Sequence, residues 1–333
     1  MPHPPSALAT KPALATMRSI VIAGPRRTEI TEISIPEPAP DEVRVRLEGC
    51  GVSASSLPVW EGRERFGYPR VAGAPGREGW GRIDAVGAAV TGLNPGDRVA
   101  LLSNHAFAEY DIAKSAEVAR LPDSGAGKPF PSEPLGCAMN VFHRSRIEPG
   151  QNVAIIGVGF LGALLTQLAA RAGARVIAIS RRQFALEMAR RCGAAETISM
   201  DDDFRVIEQV VELTGGEGCE RVIEATGAQR ALDLATELAR ERGWLVIAGY
   251  HQEGLRQVNM QLWNWRGLDV INAHERDPQT YVVGMRAAVD AVANGALDPA
   301  PLYTHRFRLD QLDQAMEVMR RRPDGFLKAL ITM

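Results

Sequence analysis

Only four cysteines occur in 333 residues, Cys50, Cys137, Cys192 and Cys219, and no two of them stand in a C-x-x-C spacing. That scatter argues against a disulfide framework and offers no ready structural zinc site; it suits free thiols in a reducing, cytoplasmic setting. Long apolar runs are also missing. No stretch approaches the roughly 20 residues that span a bilayer, and the opening MPHPPSALATKPALAT has too short an apolar run for a secretory signal and too many prolines for a helix. Residues 1–16 are expected to form a disordered tail. Charge of one sign is lacking too: 38 basic and 40 acidic residues leave a formal net charge of -2, with no long run of either. Neither nucleic acid nor a membrane surface is therefore an expected partner.

What is present is the ordinary mix of a soluble globular protein, 45% hydrophobic and 23% charged, in a chain longer than one core usually organises. Two domains are expected. From Arg18 to about Asp123 short β-like runs are broken by glycine and proline, and VRVRLEG (43–49) alternates apolar and charged side chains as a strand with one wet face does. After Pro134 come six apolar runs of strand length, 153–157, 175–180, 196–200, 221–226, 244–250 and 268–273, most of them separated by helical patterns. Leu161, Leu164, Leu165, Leu168 and Ala172 form one continuous helical face. The second half thus predicts an α/β fold, a doubly wound parallel sheet covered on both sides. Beyond Glu275 the pattern predicts a helix near 280–294, a short strand in YTHRFRL, a helix over 310–321 and a last strand in FLKALIT.

The stretch VAIIGVGFLGALLTQLAARAGARVIAIS (153–180) places Gly157, Gly159 and Gly162 between a strand and an amphipathic helix. In that context the G-x-G-x-x-G turn is a pyrophosphate cradle, with the helix N-terminus facing the anion. The end of the second strand chooses the dinucleotide. An NAD(H) site usually carries Asp or Glu there for the ribose 2′-hydroxyl, whereas this chain has Ser180, Arg181 and Arg182. A hydroxyl and two guanidiniums favour NADP(H), unless Arg181 and Arg182 merely begin the next helix in solvent.

With these elements placed, the chain resembles the medium-chain dehydrogenase/reductase superfamily, the zinc alcohol and polyol dehydrogenase group in particular. The resemblance is carried by GCGVSASSLPVWEG, GREGWGRIDAVGAAVTGLNPGDRV, FAEYDIA, EPLGCAMNVFHRSRIEPGQNVAIIGVGFLG and the closing LDPAPLYTHRFRLDQLDQAMEVMRRRPDGFLKALITM. It implies a GroES-like β-barrel catalytic domain from 17–137 and 274–333, with a Rossmann cofactor domain, 138–273, inserted between the two pieces. The active site would lie in the cleft, and a homodimer or homotetramer would be the assembly.

The family's metal residues are substituted. The first catalytic zinc ligand of zinc members is the cysteine of a Gly-Val-Cys turn, here Gly51-Val52-Ser53; the second is the histidine of Gly-His-Glu, here Gly76-Arg77-Glu78. The third ligand position falls on Glu133. Ser56 replaces the aspartate that usually orients the ligands, and the cysteine-rich lobe that holds structural zinc is missing after GDRV. A neutral hydroxyl is a poor zinc ligand and a guanidinium repels the ion, so no zinc is expected.

Arg77 would put a fixed positive charge near the place the resemblance gives to zinc. Two readings stand side by side: an ion pair with Glu78 or Glu133 that only holds the cleft together, or a group that binds a substrate carboxylate or a developing oxyanion. Ser55 matches the family's proton-relaying hydroxyl, but Pro58 replaces the histidine that would complete the relay. His105 is then a candidate general acid. The family topology would bring Cys137 near the nicotinamide, although a buried free thiol is the favoured reading, and Lys328 aligns with a basic residue of the family that reaches the pyrophosphate. Trp60, Trp263 and Trp265 have two readings, an apolar wall for substrate or, as is commoner for tryptophan, core or interface.

These residues imply a zinc-free NADP(H)-dependent oxidoreductase acting on a polarised C=O, C=N or conjugated C=C bond of a small molecule, with a carboxylate-bearing substrate one option. A metal-dependent alcohol or polyol dehydrogenase, a non-redox enzyme and an NADPH-binding regulatory protein are the alternatives on the same fold.

Overall fold

The computed structural model describes residues 15–63, 65–122 and 127–333. Of the tail expected over residues 1–16, residues 1–14 lie outside the described residues, and Thr16 is not tail but opens the first strand, paired with Ser34. In chain order the elements are β1 (Thr16–Gly24), β2 (Arg27–Ser34), β3 (Glu42–Gly51), α1 (Leu57–Glu61), β4 (Gly79–Val86), β5 (Arg98–Leu101), β6 (Tyr110–Lys114), β7 (Val118–Arg120) and α2 (Ser132–Ser145). There follow β8 (Asn152–Ile156), α3 (Phe160–Arg171), β9 (Arg175–Ser180), α4 (Gln183–Arg191), β10 (Glu196–Ser199), α5 (Asp203–Leu213), β11 (Cys219–Glu224), α6 (Gln229–Leu238) and β12 (Ala239–Ile247). The chain closes with α7 (Met260–Arg266), β13 (Asp269–Asn272), α8 (Pro278–Ala293), β14 (His305–Arg308), α9 (Leu312–Arg321) and β15 (Ala329–Thr332).

The six apolar runs of the second half form one sheet, ordered β10-β9-β8-β11-β12-β13, and each of its strand pairs is parallel. Its central strands are sealed on both faces, which is why they read as continuous apolar segments rather than alternating ones. Strand order reverses beside β8, between β9 on one side and β11 on the other, and a crevice at such a reversal is where open α/β sheets take their ligands. The α3 face read from the sequence packs as expected, with Leu164 and Leu165 fully buried and Leu168 nearly so.

The other sheet mixes the two ends of the chain. Its order is β14-β15-β3-β4-β5-β7, with β6 also paired to β3. Antiparallel pairing of β15 with β3 sets Ile331 opposite Cys50, so the last strand joins one that lies 281 positions earlier in the chain. Val43, Val45 and Leu47 of β3 point into its core, and the arginines between them face outward. A hairpin of β1 and β2 packs outside this sheet. Position 137, expected to end the first catalytic piece, falls inside the continuous helix α2.

α2 and α8 cross at a contact between two glycines. A Cβ on Gly284 would lie 2.5 Å from the Gly136 carbonyl oxygen, and one on Gly136 would lie 2.8 Å from Met285 Cγ. Only bare backbone permits that approach.

Candidate active site

A cleft of about 1120 Å³ runs between the parallel sheet and the mixed sheet, lined by residues of both. One wall is the turn after β8. Gly157 has φ +96, and a Cβ on Gly162 would stand 2.1 Å from the Gly157 carbonyl oxygen, so helix α3 is pressed against the turn that precedes it. Gly159 is the N-cap of α3 and no described side chain caps it, which leaves the positive end of the helix facing the cleft. Ser180, Arg181 and Arg182 line the same cleft at the end of β9. The residues present fit the pyrophosphate and ribose of a dinucleotide.

The neighbouring wall is shaped by a buried carboxylate that no motif in the chain signals. Glu224, fully buried at the end of β11, accepts hydrogen bonds from the backbone N–H of Thr226 (2.7 Å) and Gly227 (2.9 Å) and from the Thr226 hydroxyl (2.5 Å). Arg256 Nε donates to His251 Nδ1 at 3.0 Å, which leaves Nε2 as the protonated nitrogen, 3.0 Å from Glu224. The network fixes the turns that carry Ala225, Thr226, Gly249 and Tyr250 to the cleft.

The mixed sheet supplies the charged floor. Glu78, 1% exposed, meets Lys328 Nζ at 2.5 Å, and that ammonium also donates to the Val52 carbonyl at 3.0 Å. Lys328, aligned by the resemblance with a pyrophosphate ligand, does line the cleft, but its head group is engaged by Glu78 and stands 5.1 Å over the Phe160 ring. Ser53 and Ser55 lie with their hydroxyls 2.8 Å apart, both open to the cleft. Pro58, in place of the expected relay histidine, sits in the first turn of α1, where its missing N–H costs nothing.

Glu133, from the first turn of α2, accepts a hydrogen bond from the Tyr281 hydroxyl of α8 at 3.2 Å. Burial, and next the charge of Glu78, raise the Glu133 carboxyl above the ordinary glutamate range, while Arg77, Lys328 and Tyr281 pull the other way. Burial, followed by the Glu133 charge, likewise pushes the Tyr281 phenol up. Tyr281 was not legible as a site residue: 148 positions separate it from Glu133. The raised Glu133 value fixes the sign of a pH effect. The native state holds this proton after the unfolded chain has lost it, so its contribution to stability is full below the ordinary glutamate pKa and declines as pH rises through the raised one. Chemical denaturation of Glu133→Gln beside the parent should therefore give midpoints that move apart in favour of the variant across that window.

Arg77 lines the cleft from the short loop ahead of β4. The carboxylates expected to pair with it are engaged elsewhere, Glu78 by Lys328 and Glu133 by Tyr281. Among the described residues none places a carboxylate within ion-pair distance of Arg77, and its Nε is buried without a hydrogen-bond partner. Its charge still reaches the Glu133 carboxyl and the Tyr281 phenol, lowering both.

Two expectations change. His105 is exposed and is not part of the cleft lining. Its backbone is held by a parallel bridge to Gly76 and by a hydrogen bond to the Asp111 carboxylate. The tryptophans do not form a substrate wall: Trp60 is buried with Nε1 on Asp313 (2.7 Å), Trp263 bonds Thr236 (3.0 Å), and Trp265 is 82% exposed. Cys137 does line the cleft, and burial pushes its thiol up, away from the reactive thiolate.

The donor set does not fit zinc. A hydroxyl, a guanidinium and a carboxylate stand at the three positions of the resemblance, and among the described residues no group of three His, Cys, Asp or Glu side chains is placed to hold a metal.

Known proteins match this chain over both of its halves. Residues 39–123 match the model of the alcohol dehydrogenase GroES-like domain, and residues 161–293 match that of the zinc-binding dehydrogenase. The chain belongs to the medium-chain dehydrogenase/reductase superfamily. Among curated members of this superfamily it is 25% identical to the erythritol/L-threitol dehydrogenase of Mycolicibacterium smegmatis, over 95% of this chain and 97% of that one. A dehydrogenase of Sinorhizobium meliloti 1021 solved with NADP superimposes with TM-score 0.83 at 25% identity, covering 96% of this chain and 100% of that one. The alcohol dehydrogenase RspB of Escherichia coli CFT073, solved with NADH, gives TM-score 0.84 at 25% identity over 96% and 99% of the two chains. This medium-chain protein is an NAD(P)-dependent oxidoreductase. No described helix is long and apolar enough to cross a membrane.

Proposed function

We propose that this dehydrogenase works without zinc, prefers NADP(H), and moves a hydride to or from a polarised C=O, C=N or conjugated C=C bond of a small molecule. The observation that carries the reading is the free guanidinium of Arg77 in the cleft, beside carboxylates that are already engaged. NADPH, when bound, supplies a hydride from nicotinamide C4. Arg77 directs its N–H groups at the acceptor oxygen and stabilises the negative charge that develops there, or binds a carboxylate on the same substrate. Glu133, its carboxyl raised and hydrogen-bonded by Tyr281, delivers the proton that this oxygen takes up. Ser53 and Ser55 orient the substrate by hydrogen bonds. A metal would otherwise lower the pKa of an alcohol, so oxidation of unactivated alcohols is the harder direction for this residue set.

The NADP(H) preference is supported by Ser180, Arg181 and Arg182 at the end of β9, where no carboxylate opposes a 2′-phosphate. A homodimer is supported by the open edge strand β13 beside exposed Leu255, Val258, Met260 and Trp265. Four free cysteines suit a cytoplasmic setting. A cofactor domain inserted between two catalytic pieces is supported by the parallel sheet, whose strands all fall between Asn152 and Asn272, with the first break elsewhere than at 137/138, which lies inside α2.

One purified sample tests these points together. It should contain no stoichiometric zinc, consume NADPH at 340 nm with members of a carbonyl and enone panel, be indifferent to chelator, and elute at twice the chain mass. Zinc at one per chain with chelator-sensitive turnover would instead establish the metal-dependent polyol dehydrogenase reading, to which the curated relative points.

A further inference from the structure

We propose that Arg322, contributed from the C-terminal end of α9 rather than from the parallel sheet, completes with Arg181 and Arg182 a three-guanidinium pocket for the 2′-phosphate of NADP(H). This rests on the NADP(H) reading above and adds a residue that neither the β9 end nor the glycine turn reveals.

The run Arg320-Arg321-Arg322 lines the cleft, yet its three members are not equivalent. Glu317, one turn earlier on α9, takes the first two: Arg320 Nη2 lies 2.6 Å and Arg321 Nε 2.5 Å from its Oε1. Arg322 is the C-cap of the helix, in the left-handed region at φ 46 and ψ 60. Glycine is the usual occupant of that conformation, because a Cβ there is disfavoured. An arginine held in it is turned out of the helical row in which its two neighbours meet Glu317. Among the described residues no carboxylate lies within ion-pair distance of Arg322, Arg181 or Arg182.

The opposing side of the cleft is joined to the same segment. Arg182 Nη1 donates to the carbonyl oxygen of Phe326 at 2.5 Å, so the end of β9 is tied to the loop between α9 and β15. Partial enclosure, then the positive charge of Arg322, lower the Arg182 guanidinium, with Asp324 opposing and Arg181 adding to the repulsion; Arg322, whose side chain keeps an exposed surface, is lowered by desolvation and by Arg181. Arg181, Arg182 and Arg322 thus line one cleft with Ser180, and of the charges acting on Arg182 that of Asp324 opposes the other two cations. A phosphate dianion there would relieve the repulsion and accept charge-assisted hydrogen bonds. A ribose 2′-hydroxyl can accept a hydrogen bond but carries no charge, and would leave the repulsion in place.

Binding, not turnover, is the test. Dissociation constants of NADPH and NADH, and of adenosine 2′,5′-bisphosphate and 5′-AMP, are measured by calorimetry for the parent, Arg322→Gln and Arg322→Gly. Glycine keeps the left-handed cap, so a folding defect in the glutamine variant is recognised by comparing the two. Both variants should weaken NADPH and the bisphosphate by about 10–100-fold and leave NADH and 5′-AMP unchanged. Equal weakening of phosphorylated and unphosphorylated ligands, or none, overturns the proposal. If the parent itself binds NADH as tightly as NADPH, the cofactor reading fails with it; if the parent prefers NADPH and the Arg322 variants keep that preference, only the role of Arg322 is lost.

Discussion

Arg77→Gln should lower kcat for reduction of a carbonyl or enone by about 10²–10³-fold, the cost of removing one preorganised donor from a developing oxyanion. Binding of NADPH should not change, because the proposed role of Arg77 is toward the substrate and not toward the pyrophosphate or the 2′-phosphate. Arg77→Lys separates charge from shape. It keeps the cation but loses the planar fork, so a carboxylate-bearing substrate would suffer mainly in KM, whereas oxyanion stabilisation would suffer in kcat. Steady-state kinetics of both variants, with NADPH affinity measured independently, decide the matter. Unaltered kcat in Arg77→Gln would reduce Arg77 to a structural cation.

The second large effect is on stability. Lys328→Ala strands the Glu78 carboxylate, 1% exposed, without its partner at 2.5 Å. A buried charge left in this way costs about 3–5 kcal/mol, which denaturant titration would read directly. Glu78→Gln combined with Lys328→Met should recover most of the loss, since an uncharged pair of similar volume carries no such penalty. If the single variant matched the parent in stability, water must reach Glu78, and the closed cleft floor described above would be wrong.

These two residues also mark the limit of what the sequence conveys. The glycine turn, its flanking strands and the leucine face of α3 were readable because each is local: a φ +96 glycine, a helix pressed on a turn and a 3.6-residue period all act within a few positions. The substitutions at Ser53 and Arg77 were equally plain. Pairings across the chain were not. Glu78 meets Lys328 and Glu133 meets Tyr281 only because β15 returns to β3 and α8 packs on α2. Arg77 was expected to choose between Glu78 and Glu133, and it was the arrival of these remote partners that left it with neither. His105 misled for the same reason, since its bridge to Gly76 brings its backbone close to the Arg77 loop while its side chain stays exposed. β2 escaped notice because its sequence RTEITEIS buries no residue and alternates only weakly.

The bare crossing of α2 and α8 carries a consequence for anyone altering this protein. Gly136 and Gly284 sit one turn from the acid and one turn from the phenol that it holds, so a single methyl added at either spot would act as a wedge between the two rods. Harm to proton delivery would then arise from a position that never meets the reactant, and a mutational survey confined to the walls of the groove would overlook it.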